Sequence, residues 1–243
     1  MRMKNSTRDW WDKASEHYQA ENRIPTDDVL YGPFSPGESE LNLLGDVKNK
    51  RILEIGCGGG QSSIAFAKRG AKCTAIDISR TQLDYAKKLA EKNGVKIKFI
   101  QMNATDVGKF GRARFDLAFS ALVLNQVGDL GKCFSGVKRT LKKGGKFVFS
   151  VEHPFYVLIS PSNLRIDSSY YDTGEVRDKD GYIFFKRRIS DIVNLMIDSG
   201  LVLDRIAEPF KQKQGKSAVW ETGYRMKLVR KIAPTIIFSA INP

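Results

Sequence analysis

Short apolar segments alternate with longer amphipathic segments along the chain from residue 51 onward. Apolar runs of about four to eight residues bounded by turn residues are typical of buried strands, and apolar positions three or four apart are typical of helices. The pattern predicts strands at 51–56, 72–79, 97–104, 115–124, 146–154, 201–209 and 233–241. It predicts helices at 61–70, 80–94, 130–145 and 189–200.

This order of elements predicts an α/β fold. Strands joined by helices of about 10–15 residues form a mostly parallel sheet with helices on both faces. The last two predicted strands have no helix-length linker, because residues 210–232 between them are polar and rich in turn formers. We therefore expect the last strand pair to be antiparallel.

The first 45 residues lack strand alternation. Apolar residues at positions 10, 11, 14 and 18 fit one helix face, and Thr7 is a candidate cap for that helix. A short helix is predicted over Glu38–Leu44, with Ser35 as its cap and Pro36 in its first turn. We expect an N-terminal segment at 1–45 and a main domain at 46–243 with an insert near 155–190.

Composition and charge exclude several classes of protein. The chain has 243 residues, 42% of them hydrophobic, and it contains no apolar run as long as the roughly 18 residues of a membrane span. The N-terminus lacks the apolar centre of a signal peptide. Three scattered cysteines predict neither a disulfide framework nor a metal site, so we expect a cytoplasmic protein without a metal. The net charge of +13 allows an anionic partner, but a solvated lysine-rich surface is the simpler interpretation.

The first predicted strand ends in a glycine-rich turn, "ILEIGCGGGQ". Glycine at such a turn lets the backbone bend sharply and lets a ligand come close, and the helix that follows presents free N–H groups. Gly56 and Gly58 match the first two positions of the dinucleotide pattern G-x-G-x-x-G, but Gln61 replaces the third. The third glycine is Gly60, one place early, and Glu54 precedes the turn.

This E-x-G-x-G-x-G pattern resembles the first motif of the class I S-adenosylmethionine-dependent methyltransferases. Asp77 ends the second strand, where that family places an acid on the ribose hydroxyls, and Asn103–Ala104 stand where the family usually has Asp-Ala near the adenine. The segments "FDLAFSALVLNQV" and "LKKGGKFVFS" resemble the family's fourth and fifth strands, so the likeness covers roughly residues 40–155.

The resemblance implies a Rossmann-like, seven-stranded sheet with an N-terminal helical lid. It also implies S-adenosyl-L-methionine as cofactor and S-adenosyl-L-homocysteine as product. The residues expected to bind the cofactor are Tyr18, Glu54, Gly56, Cys57, Gly58, Gly60, Gln61, Asp77, Ile78, Asn103, Ala104 and Ser120.

The acceptor is expected above the ends of the fourth and fifth strands, beside "SVEHPF". His153 is the candidate base because its neutral form accepts a proton near pH 7, and the alternative is that it anchors the turn before Pro154. Tyr31, Tyr170 and Tyr171 are candidate acceptor-binding residues because aromatic faces hold apolar or cationic groups, and ordinary packing is the alternative.

The resulting prediction is a methyltransferase that acts on an N, O or C atom of a small molecule. Three alternatives stay open: an RNA or protein methyltransferase, a non-catalytic cofactor-binding regulatory protein, and an NAD-dependent oxidoreductase. RNA is possible because of the positive charge, but the chain has no aromatic-interleaved nucleic-acid motif. The sequence leaves the acceptor and the oligomeric state open.

Overall fold

A single seven-stranded sheet organises the molecule. The structure is a computed structural model that describes residues 6–160, 163–211 and 226–243. The strand order is β3-β2-β1-β4-β5-β9-β8. The strands are β1 (Arg51–Ile55), β2 (Lys72–Asp77), β3 (Lys98–Gln101), β4 (Phe115–Ala121), β5 (Leu141–Glu152), β8 (Val202–Ala207) and β9 (Thr235–Ile241).

The direction of the strands matches the prediction. β1 to β5 are mutually parallel, whereas β9 lies between β5 and β8 and is antiparallel to both. The strand order reverses between β1 and β4, and parallel sheets bind ligands at such a switch point. The predicted seven-stranded, mostly parallel fold with an antiparallel last pair is confirmed.

Two hydrophobic layers cover the sheet. On one face, Leu53 and Ile55 of β1 share a core with α5 (Leu130–Thr140) and α6 (Ile189–Asp198). On the opposite face, Ile52 packs with α3 (Gln61–Lys68). Side chains alternate across a strand, so this register places Glu54 on the α3 face. A smaller cluster joins Leu83 of α4 (Arg80–Lys92) to the sheet.

The N-terminal helix α1 (Thr7–Glu21) packs against α4. Its cap is Ser6, whose side chain accepts from the Asp9 backbone N–H while the Asp9 carboxylate accepts from Ser6 N, so the cap lies one residue before the predicted Thr7. A reciprocal pair of this kind satisfies two helix-end donors at once.

The second N-terminal helix is shorter than predicted. α2 (Glu38–Leu41) begins after Gly37, so the predicted cap at Ser35 and first-turn position of Pro36 are wrong. The Glu38 carboxylate accepts from the backbone N–H groups of Leu43 and Leu44, which turns the chain away before residue 44. Val29, Tyr31, Leu43 and Leu44 are buried on the α3 face of the sheet.

The segment near 155–190, predicted as an insert, contains a β-hairpin that the sequence pattern did not predict. β6 (Gly174–Arg177) pairs antiparallel with β7 (Ile183–Lys186). The remaining elements are short: 3-10 turns at Ala104–Phe110, Leu124–Gln126 and Tyr156–Leu158, and α7 (Met226–Val229). Most of the predicted linker 210–232 lies outside the described residues.

Across the described part of the chain, every helix is too short or too polar to traverse a bilayer. The same residues contain no group of three or more His, Cys, Asp or Glu side chains arranged to hold a metal ion.

Candidate functional site

One large cavity, of about 520 Å³, opens at the carboxyl ends of the parallel strands. This volume lies within the usual range of about 300–1,000 Å³ for small-molecule sites. We call its strand-end residues the floor; they come from 54–62, 77–82 and 102–105. We call the residues from 6–30 and 175–185 the cover, and those from 121–129, between β4 and α5, the side wall.

The glycine loop of the floor follows β1 and depends on a left-handed backbone. Gly56 has φ of 69°, and a Cβ atom there would lie 2.8 Å from Cβ of Val123 and closer still to its methyl groups. Only glycine fits both the conformation and the space. At Gly58 an added Cβ would meet only Gln82 Oε1, at 3.8 Å, so the cavity reaches the backbone of this loop.

Asp77 joins the glycine loop to the start of α4. Its Oδ2 accepts from the backbone N–H of Gly58 at 2.8 Å, and its Oδ1 accepts from that of Ser79, also at 2.8 Å. The side chain is 8% exposed. Burial raises the pKa of Asp77, and the backbone hydrogen bonds act in the opposite direction. Each carboxylate oxygen has a second lone pair, so both can accept another hydrogen bond from a ligand.

Glu54 lies under the loop as a buried acid. It is 4% exposed, and its Oε2 accepts from the hydroxyl of Ser63 in α3. Burial raises the pKa of Glu54 to about 7, and the neighbouring Asp77 charge adds to the rise. The carboxyl is therefore only partly ionised at neutral pH, and a cation in the cavity would favour its charged form.

The end of β3 contributes the rest of the floor. Met102, Asn103, Ala104 and Thr105 line the cavity. Asn103 caps the turn that follows, because its Oδ1 accepts from the backbone N–H and the hydroxyl of Thr105, both at 3.0 Å. The Asn103 amide oxygen therefore already accepts two hydrogen bonds within this turn. An aspartate at the same position would also carry a negative charge, which Asn103 lacks.

Helix α1 is tied to the floor by buried polar contacts. Gln19 donates to Gln82 Oε1 at 2.9 Å and accepts from Gln61 Nε2 at 2.7 Å, which links α1 to α4 and α3. All three glutamines are buried. Asp12 accepts from the hydroxyl of Ser79 at 2.6 Å, so α1 also binds the start of α4. These bonds fix where α1 crosses the cavity.

The hairpin closes the cavity from the other side. Arg187 donates to the backbone carbonyls of Leu124, Val127 and Gly128, and its guanidinium lies 5.0 Å from the ring centre of Phe185. Ring contacts join the hairpin to α1, with the Trp10 and Tyr182 centres 4.9 Å apart. Trp11 of α1 donates to Gln126 Oε1 at 2.7 Å. The cover and the side wall therefore form one connected unit.

The structure brings together ten of the twelve residues predicted to bind the cofactor. Those that line the cavity are Tyr18, Glu54, Gly56, Cys57, Gly58, Gln61, Asp77, Ile78, Asn103 and Ala104. Gly60 and Ser120 lie outside this lining. Gly60 stands before α3 with φ of 77°, and the Ser120 hydroxyl donates to the Ile55 carbonyl at 2.9 Å, which joins β4 to β1.

The residues predicted to bind the acceptor lie away from the cavity lining. Tyr31 is fully buried, donates to Glu38 and packs against Phe119 on the α3 face. Tyr170 stacks on Phe155 with ring centres 4.7 Å apart, and Tyr171 is 80% exposed.

His153, the predicted base, is also absent from the lining. It is 3% exposed, its Nε2 lies 2.6 Å from Glu208 Oε1, and its Nδ1 accepts from the backbone N–H of Phe155 at 3.1 Å. These contacts are those of the alternative interpretation, in which the ring anchors the turn before Pro154. For Tyr31, Tyr170, Tyr171 and His153, acceptor binding and catalysis stay predictions to which the cavity adds no support.

Several lining residues were missed from the sequence. Among them are Gln19, Gln82, Val123, Gln126, Asp129, Glu175, Ile183 and Phe185. Gln19 lies on the predicted N-terminal helix eight residues after Trp11, and this spacing of about two turns could have indicated a shared side. No local pattern marks Glu175 or Phe185, because their position depends on the hairpin.

Comparison with known proteins finds a matching family model and several similar sequences. A family model for a methyltransferase domain matches residues 53–149. A ubiquinone biosynthesis O-methyltransferase of Pseudomonas syringae pv. tomato is 31% identical over 141 residues, which cover 58% of this chain and 56% of that protein. Its counterpart in Alkalilimnicola ehrlichii is 33% identical over 107 residues, covering 44% of this chain and 43% of that protein. The chain thus spans about half the length of the curated relatives it matches.

Solved structures match over a larger share of the chain. An S-adenosylmethionine-dependent methyltransferase from Mesorhizobium loti is 25% identical, with a TM-score of 0.65, and the match covers 83% of this chain and 94% of that one. A geranyl diphosphate C-methyltransferase from Streptomyces coelicolor shares the fold, with a TM-score of 0.66 at 15% identity over 96% of this chain and 98% of that one.

Proposed function

We propose that this chain, which belongs to the class I S-adenosylmethionine-dependent methyltransferases, binds S-adenosylmethionine on the floor of the cavity and methylates a small molecule held beneath the cover. The observation that carries the proposal is the junction of the glycine loop with buried Asp77, where Gly58 N donates to Asp77 at 2.8 Å. The family model spans this junction, because it matches residues 53–149.

The chemistry of the floor fits this cofactor. We assign the ribose hydroxyls to Asp77, whose two oxygens each retain a lone pair after binding the backbone. We assign the adenine to the end of β3, at Met102 and Asn103, and the charged amino-acid portion to the glycine loop above Glu54. When bound, S-adenosylmethionine supplies a methyl group on a positively charged sulfur, and the two buried acids of the floor suit that charge.

The protein must also align the acceptor with the methyl group and exclude water from the site. Displacement at an activated methyl group depends mainly on holding the acceptor in line, which favours a site closed on several sides. α1 and the hairpin provide this closure, through Trp11 to Gln126 and Arg187 to the side-wall carbonyls.

Titration calorimetry with S-adenosylmethionine tests the cofactor assignment. Asp77→Asn keeps the size of the side chain but removes its charge and one acceptor, and we expect affinity to fall about tenfold to a hundredfold. Asp84→Asn, in the helix that follows β2 but with an exposed side chain outside the cavity lining, is the matched control and is expected to bind normally. Equal affinity in both variants would contradict the assignment of the ribose to Asp77.

The covered cavity supports a small-molecule acceptor over RNA. The curated relatives named above are ubiquinone biosynthesis O-methyltransferases, which fits a small acceptor. RNA remains the second candidate because of the net charge of +13. A filter-binding titration with bulk tRNA separates the two, since binding through phosphates weakens steeply with salt. Weak tRNA binding at physiological salt supports the small molecule, and tight binding with a steep salt slope supports RNA.

A further inference from the structure

The cavity is acidic in a strongly basic protein. The chain carries a net charge of +13, yet the charged residues among the described lining residues are Glu54, Asp77, Asp129 and Glu175, and none of these lining residues is Lys, Arg or His. The surface charge therefore does not continue into the cavity. An anionic acceptor would meet four carboxyl groups and no cationic side chain of the described lining, which disfavours it.

Two of the acids lie outside the floor, one in the side wall and one in the cover. Asp129 belongs to the side wall and caps α5, where its Oδ1 accepts from Lys132 N at 2.9 Å. Glu175 belongs to the hairpin, and its 53% exposed side chain lies 3.4 Å from Arg177, which is not itself part of the lining. Glu175 is partly neutralised by this pair, but an exposed pair at such a distance is weak.

The cover also contributes aromatic and apolar side chains to the lining. Trp11 and Tyr18 contact each other edge to face with centres 5.3 Å apart, and Ile183 and Phe185 line the hairpin side. Phe185 already holds one planar cation on its ring, the Arg187 guanidinium at 5.0 Å. Aromatic faces attract flat and positively charged groups.

No described residue of the lining offers an imidazole or an amine as a base. His153, the candidate from the sequence, is buried against Glu208 outside the cavity. A hydroxyl acceptor must lose its proton to react, whereas a neutral nitrogen reacts through its own lone pair. The bases that the described lining offers are carboxylates, and Glu54, whose pKa of about 7 would suit a base, lies under the glycine loop that is assigned to the cofactor. Outside the floor, the lining therefore suits a nucleophile that needs no base.

We infer that the acceptor is a flat, weakly basic nitrogen compound, such as a nitrogen heterocycle or an aromatic amine, and that its methylated product is a cation. This inference rests on the proposed function. The nitrogen lone pair forms the new N–C bond as the S–C bond breaks, and the sulfur keeps the bonding pair. One positive charge moves from sulfur to nitrogen, so the acid-lined cavity holds one cation before and after transfer, and any N–H proton leaves afterwards to water.

Binding to the protein saturated with S-adenosylhomocysteine tests this inference without knowledge of the natural acceptor. The probes are three flat bicyclic compounds of similar size: N-methylisoquinolinium, 2-naphthol and 2-naphthoate. We expect calorimetry to give the order cation, neutral, anion, with the cation bound about tenfold more tightly than the anion. A turnover assay for S-adenosylhomocysteine release should favour isoquinoline over 2-naphthol, with N-methylisoquinolinium identified by mass spectrometry.

The double variant Asp129→Asn/Glu175→Gln locates the effect. Asparagine preserves the cap of α5 and glutamine preserves the size of the side chain. Because both acids are exposed to solvent, we expect the preference for cation over anion to fall to about threefold. Glu91→Gln, an exposed acid on α4 outside the lining, is the matched control and should keep the full preference.

The failures are distinguishable. If S-adenosylhomocysteine and S-adenosylmethionine themselves do not bind, the proposed function is wrong. If they bind but 2-naphthoate equals or exceeds the cation, or none of the three probes binds, or 2-naphthol is the better acceptor, the proposed function stands and the nitrogen acceptor is overturned.

Discussion

The floor of the cavity and its cover are built in different ways. The floor comes from three short segments, 54–62, 77–82 and 102–105, each of which directly follows or ends a strand of the same parallel sheet. The cover comes from a helix before the sheet begins and a hairpin about 150 residues later in the chain. Strand geometry places the floor, whereas side-chain contacts between remote segments place the cover.

This difference predicts unequal sensitivity to substitution. Floor residues are held by backbone–backbone hydrogen bonds, such as those that Gly56 N and Cys57 N donate to the Ile76 carbonyl, so they change only when the turn itself is disturbed. Cover residues are held by side chains, such as those of Gln19 and Arg187. Damage to the cover should therefore leave the floor folded.

The largest expected effect is at the floor, for Gly56→Ala. Alanine is strained in the left-handed backbone conformation, and its Cβ also overlaps Val123. We therefore expect the unfolding free energy to fall by about 3–5 kcal/mol and cofactor binding to become undetectable. Chemical denaturation and calorimetry measure the two effects.

Gly94→Ala provides the control for this prediction. Gly94 has nearly the same φ, 67° against 69° at Gly56, but an added Cβ there meets nothing within 4 Å. It should lose only about 1–2 kcal/mol, for the backbone conformation alone. Equal losses in the two variants would contradict the steric part of the argument.

The next effect concerns Glu54 and pH. Burial raises the pKa of Glu54 from an ordinary value of 4.5 to about 7, so the folded state holds a proton that the unfolded state releases between these two values. The contribution of Glu54 to stability is complete below pH 4.5, falls as pH rises and is lost above pH 7. The unfolding free energy therefore falls by about 3 kcal/mol between pH 4.5 and pH 7 because of Glu54.

Urea unfolding at pH 4.5 and pH 7.5 tests this sign. Glu54→Gln stays uncharged at both pH values, so its unfolding free energy should vary less with pH than that of the unaltered protein. The buried Asp77 has a raised pKa as well and is present in both proteins, so the difference between them reports Glu54 together with its interaction with Asp77. An identical pH dependence of the two proteins would refute the raised pKa.

The smallest effect is expected in the cover, for Gln19→Ala. The change leaves Gln61 and Gln82 buried without their shared partner, at a cost of about 1–2 kcal/mol. Hydrogen exchange should accelerate in α1 while β1 and β4 stay protected. Glu16→Ala, on an exposed position of the same helix, should change neither the unfolding free energy nor the hydrogen exchange of α1. Faster hydrogen exchange in β1 would contradict the prediction that the floor stays folded when the cover is damaged.

The difference between floor and cover also explains which parts of the site can be predicted from the sequence. Gly56 and Gly58 are predicted from the residues themselves, because a strand, a turn and a helix start are local and parallel strands place their ends at one edge. Asp77 is predicted from the family resemblance, which places an acid at the end of the second strand. The mostly parallel sheet followed from the alternation of strands and helices, and the antiparallel pairing of the last strands from the polar, turn-rich linker between them, whereas the strand order was not predicted.

The acceptor side could not be predicted in this way. Tyr31 and His153 have suitable side chains, but tertiary packing buries both away from the cavity, against Glu38 and Glu208. Glu175 and Phe185 belong to a hairpin whose strands are four residues each, too short to give a clear alternation. Their contribution depends on Arg187 binding the side-wall carbonyls, which no sequence pattern expresses.

The position of β9 has a consequence for the order of folding. β9 follows β8 in the chain but lies between β5 and β8 in the sheet. As the chain emerges from the ribosome, β1 to β5 can pair in turn, while β8 has no described partner until β9 has been synthesised. The parallel part of the sheet can therefore form during translation, whereas the antiparallel edge must wait with unpaired backbone groups exposed. A chaperone that binds nascent chains would find its target between these two moments.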